Sequence, residues 1–126
     1  MLKTLVSRTG VLVAATALAA LALPGSAQAA KGASYVGYGQ TNNWTAVWCV
    51  QKNINSAIMW YGLDYELLTA DGSFGPKTDQ AVRYMQNAWL GAGEVDGIVG
   101  PKTGDMILEA GKAYLDTCNR YIPTTY

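Results

Sequence analysis

The sequence predicts an all-α fold, a small bundle of three helices held by one disulfide. Three observations carry that expectation. Apolar residues recur at helical spacing in three separate runs. The phrase DGSFGPKT at 71–78 returns as DGIVGPKT at 96–103, 25 residues on, with six of its eight letters kept and a proline where a helix would open. Two cysteines, Cys49 and Cys118, lie in a chain that reads as exported, where a pair of cysteines implies a disulfide.

The elements follow in order. Lys3 and Arg8 precede an apolar run, VLVAATALAALAL at 11–23, which Pro24, Gly25 and Ser26 break and Ala27-Gln28-Ala29 ends. Residues 1–29 therefore read as a secretory signal peptide, too short and wrongly flanked to span a membrane. Residues 30–43, AKGASYVGYGQTNN, carry no period and read as a flexible arm. Residues 44–126 form the domain. Thr45 is the expected N-cap of helix one, which runs over about 46–61 with Val47, Val50, Ile54, Ala57, Ile58 and Tyr61 on its apolar stripe and Gly62 as its stop. The connection LDYELLTA at 63–70 tucks Leu67 and Leu68 under the core. Pro76 opens helix two, with Ala81, Val82, Met85 and Trp89 inward; Pro101 opens helix three, with Met106, Ile107, Ala110 and Tyr114 inward.

The repeated phrase resembles a phosphate cradle only superficially. A phosphate loop needs G-x-x-x-x-G-K-[ST] with consecutive backbone N–H groups aimed at the anion. Here Pro76 and Pro101 intervene, and proline offers no N–H. The EF-hand spacing is absent as well. The phrase reads instead as a helix-opening turn used twice. Asp71-Gly72 and Asp96-Gly97 make the bend, Gly75 and Gly100 take the N-cap, and the prolines take the first helical position. Thr78 and Thr103 are placed to help satisfy free amides, and Phe74 and Val99 to plug the turn onto the core. These turn residues are structural candidates, and no metal or cofactor site is expected.

Composition narrows function. The chain has no histidine, so neither a Ser-His-Asp nor a Cys-His arrangement can be assembled, and the acids show no spacing that demands a catalytic pair. A non-enzyme is the expectation. Beyond residue 29 there remain seven basic and nine acidic residues, a net charge of −2, which argues against nucleic-acid binding. The informative excess is aromatic: 4 Trp, 8 Tyr and 1 Phe. Helical phase puts Tyr61 and Trp89 in the core. Cys49 and Trp60 fall opposite the stripe of helix one, so a Cys49–Cys118 bridge would fold the C-terminal arm over that face and cover Trp60. Trp48, Tyr65 and Tyr84 remain as candidates for a ligand-binding surface.

VWCVQKNIN, DGSFGPKTDQAVRYMQ and VDGIVGPKTGDMI, in that order, resemble the small three-helix peptidoglycan-binding domain of bacterial cell-wall hydrolases. The apolar-Gln and apolar-Asn pairs are matched by Val50-Gln51 and Ile54-Asn55. The D-G-x-F-G-x-x-T-x-x-A-V-x-x-F-Q segment is matched by Asp71, Gly72, Phe74, Gly75, Thr78, Ala81, Val82 and Gln86, with Met85 in place of the aromatic. Asp96, Gly97, Gly100 and Thr103 match the closing D-G-x-x-G-x-x-T. The likeness covers about residues 46–110, and the connections before Asp71 and Asp96 are longer than the family's. It implies peptidoglycan binding, by glycan or stem peptide; with the signal peptide and the lack of a catalytic constellation, the expectation is a secreted, non-catalytic monomer without cofactor or membrane attachment. The alternative is a secreted interaction protein, an inhibitor or accessory subunit of an exported enzyme, that reuses the fold.

Overall fold

The computed structural model describes residues 33–112 and 115–126. The three expected helices are present and a short fourth follows: α1 (Trp44–Tyr61), α2 (Pro76–Trp89), α3 (Pro101–Ala110) and α4 (Leu115–Cys118), with a 3-10 turn, Ala92–Glu94, between α2 and α3. The helical, disulfide-bonded fold expected from the sequence is the one observed. The signal peptide expected over 1–29 and the Tyr114 position lie outside the described residues. Among those residues, no helix is long and apolar enough to cross a membrane, and β pairing is a single antiparallel bridge between Val36 and Val99.

α1 is the axis of the bundle. Asn43, not Thr45, caps it: its side-chain oxygen accepts the Ala46 N–H at 3.1 Å, which starts the helix at Trp44. Gly62 ends it in the left-handed conformation, φ 61°, its N–H returned to the Ile58 carbonyl. Val47, Val50, Ile54, Ala57 and Ile58 are buried as their period predicts, and so is Cys49 on the far side. That far side is covered because Cys49 is bonded to Cys118, 69 residues away, and α4 packs there with Ile122 buried behind it.

Several expectations about aromatics need correction. Trp60 is 70% exposed, so the C-terminal segment covers Cys49 but stops short of Trp60. Tyr61 and Trp89 are not core residues. Both lie in the last turn of their helices, beyond the reach of the bundle, and pack edge to face on one another at the surface, ring centroids 5.5 Å apart. Of the pair expected under the core, Leu68 is buried and Leu67 points outward.

The expected flexible arm is docked where it is described. Val36 is buried and bonded to Val99 in both directions (N···O 3.2 and 2.7 Å), and Asn42 closes a loop on Gly37 through two hydrogen bonds of 2.9 and 2.8 Å. One buried valine anchors a segment whose glycine-rich composition gives no period to read. The far C-terminus is also laid down: it crosses α3 at Gly104, where a β-carbon would run into the Pro123 carbonyl.

Candidate functional site

The two turns are built alike, each around one buried glutamine. Gln51 on α1 aims its amide nitrogen at Asp71 Oδ1 (3.0 Å), the Ser73 carbonyl (3.1 Å) and Thr78 Oγ1 (3.1 Å), and its oxygen accepts the Gly72 N–H (2.9 Å). Gln86 on α2 repeats this with Asp96 Oδ1 (2.9 Å), the Ile98 carbonyl (3.0 Å) and Thr103 Oγ1 (3.0 Å), while accepting the N–H groups of Asp96 and Gly97. Each aspartate also accepts the N–H two residues on, from Ser73 or Ile98. Gly72 and Gly97 sit at φ 73° and 76°, a region that a side chain disfavours. The threonine hydroxyls thus face the glutamines rather than the free helix amides.

The turn motif discloses the aspartates and glycines but not that Gln51 and Gln86 organise the two turns. The missed signal is a longer repeat: AVWCVQ at 46–51 and AVRYMQ at 81–86. Each ends in the glutamine that grips the next turn. In this register Trp44 corresponds to Asp79, and each lies over its turn's positive-φ glycine, Gly72 or Gly97.

Around the first turn the surface is hollowed. A depression of about 230 Å³ is lined by Asp71, Ser73, Gly75, Pro76, Lys77 and Thr78. A neighbouring one of about 320 Å³, lined by Asp64, Tyr65, Glu66 and Gln80, shares Leu68 and Lys77 with it, so the two form one groove. Asn55 holds the groove's wall by accepting the Leu68 N–H (2.7 Å) and donating to the Leu68 carbonyl (2.8 Å). Tyr65 lines this groove, and Tyr84, which does not line it, packs against the Tyr65 ring, centroids 4.5 Å apart and tilted 40°. Both are half-buried with their outer edges available. Trp48 stands elsewhere: it stacks on Trp44, with centroids 6.4 Å apart and planes within 13°, and the Lys52 ammonium lies 5.8 Å from its ring. It does not line the groove.

Electrostatics are local and of both signs. Lys77 reaches Glu66 at 3.7 Å and Lys102 reaches Glu94 at 3.5 Å, exposed pairs that matter little to stability. The Ser73 N–H, and then the Gln51 amide, hold the Asp71 carboxyl below the usual carboxylate range. Burial, reinforced by Tyr84 and Glu66, pushes the Tyr65 phenol up, so it stays neutral and able to donate at physiological pH. Among the described residues no cluster of three or more metal-ligating side chains occurs. The groove offers carboxylates, an ammonium, hydroxyls and one aromatic ring, that of Tyr65, which suits a small polar ligand held by hydrogen bonds and a ring contact.

No curated protein and no solved structure matches the chain. A family model described as "putative peptidoglycan binding domain" matches residues 52–107, the stretch that holds both turns, all of α2 and the Tyr65 end of the groove. Over residues 52–107 the chain is thus similar to the peptidoglycan-binding domain family.

Proposed function

We propose that this is a secreted, non-catalytic protein that attaches to the bacterial cell wall as a monomer by binding peptidoglycan. The observation that carries the reading is the groove formed by Tyr65 and the first turn, with Tyr84 packed against Tyr65, at the family segment. A sugar ring or a peptide stem can lie against the Tyr65 ring while Asp71, Ser73 and Lys77 supply polar contacts. Trp48, with Trp44, extends the aromatic surface along α1 on the same helix face as Gln51 and Asn55. With few charges engaged, binding is expected to be moderate and to survive about 1 M salt.

The test is sedimentation of the oxidised protein with purified insoluble peptidoglycan, with an unrelated insoluble polysaccharide as control. Selective sedimentation that weakens in Tyr65→Ala and Tyr84→Ala supports the reading. A folded protein that stays in the supernatant with walls from several bacteria overturns it. A second reading, that the fold serves to bind another exported protein, is favoured by the exposed cluster of Met59, Trp60, Tyr61 and Trp89. A stoichiometric protein partner recovered from culture supernatant would select it.

A further inference from the structure

The duplicated turns differ in how the N-terminal arm meets them: it pairs its main chain with the second, whereas at the first it sets only the Tyr38 ring edge-on against Phe74, centroids 5.4 Å apart. At the second, Val99 exchanges both main-chain hydrogen bonds with Val36, and the Tyr35 ring covers Gly100, where a β-carbon would sit 3.1 Å from that ring. The N-terminal arm thus lies on this turn as a short extended strand. At the first turn Phe74 holds the position of Val99. The flanking geometry is the same: Gly72 matches Gly97 in φ, and Gly75 (φ −119°, ψ −170°) matches Gly100 (φ −98°, ψ −169°). The Phe74 N–H and carbonyl are therefore presented as those of Val99 are, yet among the described residues they have no partner. A β-carbon on Gly75 would meet nothing within 4 Å, and the depression of about 230 Å³ lies over this spot. An unpaired main-chain edge of this kind adds an extended peptide by strand pairing.

Resting on the wall-binding reading, we infer that the first turn is the subsite for the peptide stem of peptidoglycan, which pairs through its main chain with Phe74 as Val36 pairs with Val99. The lining selects the ligand chemistry. Asp71 and Lys77 put one charge of each sign at the opening, as Asp96 and Lys102 do at the second turn, and the first adds the Ser73 hydroxyl where the second has the apolar Ile98. A stem peptide carries amides in an extended chain, a free ammonium on its diamino acid and a free carboxylate. A glycan strand stripped of peptide carries neither the amide run nor the ammonium. The ring of Tyr65, at the far end of the same groove and backed by Tyr84, is left for the sugar to which the stem is attached.

The experiment is an amide chemical-shift titration of the oxidised, isotope-labelled protein with two probes from one amidase digest of peptidoglycan: the free stem peptide, and the peptide-free glycan strands. The expected result is saturable shifts at Phe74, Gly75 and Lys77 with the peptide, and none at Val99 or Gly100. Gly75→Val is the blocking variant. Its backbone lies in the extended region that any residue adopts and its side chain enters empty space, so it should fold and lose at least about tenfold in peptide affinity, the worth of two main-chain hydrogen bonds. Peptide shifts elsewhere on the surface, or shifts at Phe74 that Gly75→Val leaves intact, overturn the subsite. Binding of the glycan strands alone also overturns it while leaving wall attachment standing. If neither fragment nor the intact wall binds, the functional reading fails with it.

Discussion

The two buried glutamines concentrate more consequence than any other side chains. Each satisfies main-chain groups in a turn that has no sheet or helix to satisfy them, so removing one strands several buried polar groups together. Gln86→Ala is expected to cost roughly 3 kcal/mol or more, and Gln51→Ala a similar amount, since each unsatisfied group costs about 1–3 kcal/mol. Urea unfolding measures both; a loss below about 1 kcal/mol would mean that water replaces the amide. Asp71 belongs to the first of these networks and gives it a pH dependence. Its folded-state pKa is held below the usual carboxylate range by the Ser73 N–H and then Gln51. The folded state therefore binds fewer protons than the unfolded one in that window. The stabilisation is present above the ordinary aspartate range and is lost as pH falls through it toward the lowered native value. A melting-temperature profile should drop on acidification in the wild type and drop less steeply in Asp71→Asn, which keeps an oxygen for Ser73 but cannot titrate.

At the scale of elements, the unit of this fold is a helix bearing A-V-x-x-apolar-Gln followed by the turn it grips, used twice in succession. That explains what the sequence disclosed. The turns were legible because glycine, proline and aspartate in fixed order permit few conformations, and the helices because a proline or glycine bounds nearly every end. Cys49 and Cys118, the only cysteines, were legible as a pair for lack of any other partner. The placement of Tyr61, Trp89 and Trp60 was not, because helical phase gives direction around a helix but not how far along it the neighbours extend. The docking of Val36 was hidden for a different reason: one bridge residue has no period. Nor could spacing disclose that Tyr65, on a connection, meets Tyr84, on α2, since nothing local couples them. Close approach between elements yields a second contrast. Gly104 lets the C-terminal segment lie directly on α3, and a methyl there meets main chain that cannot yield. Gly104→Ala should therefore cost about 2–3 kcal/mol, in the range of overpacking, and loosen the segment from Ile122 onward. Gly75→Ala, with open space beside it, should be close to neutral. Thermal melts of the two variants, with limited proteolysis of the C-terminus, separate these outcomes.

The whole molecule depends on covering α1 on the faces that carry its buried residues. α2 and the first turn cover one face, α3 another, and the C-terminal segment with α4 closes the face carrying Cys49. A domain this small buries a limited core, and small exported domains commonly supplement it with a covalent link. The bond from Cys49 to Cys118 closes a loop of 69 residues that contains both turns and all three main helices beyond the first turn of α1. In the chain-entropy account, closing so long a loop removes about 4 kcal/mol of freedom from the unfolded chain. Reduction should therefore lower unfolding free energy by about that amount, a large share of the 5–15 kcal/mol typical of a domain. The turns should be spared longest, because Gln51 and Gln86 hold them from within the bundle, and the C-terminal segment should leave first and expose Cys49. Hydrogen exchange on the reduced protein tests this order. Early exchange at Ile122 with protection kept at Gly72 and Gly97 fits a staple that fastens one face. Simultaneous loss at all three sites would make the disulfide a condition of the entire fold, and wall binding would then be redox-dependent as well.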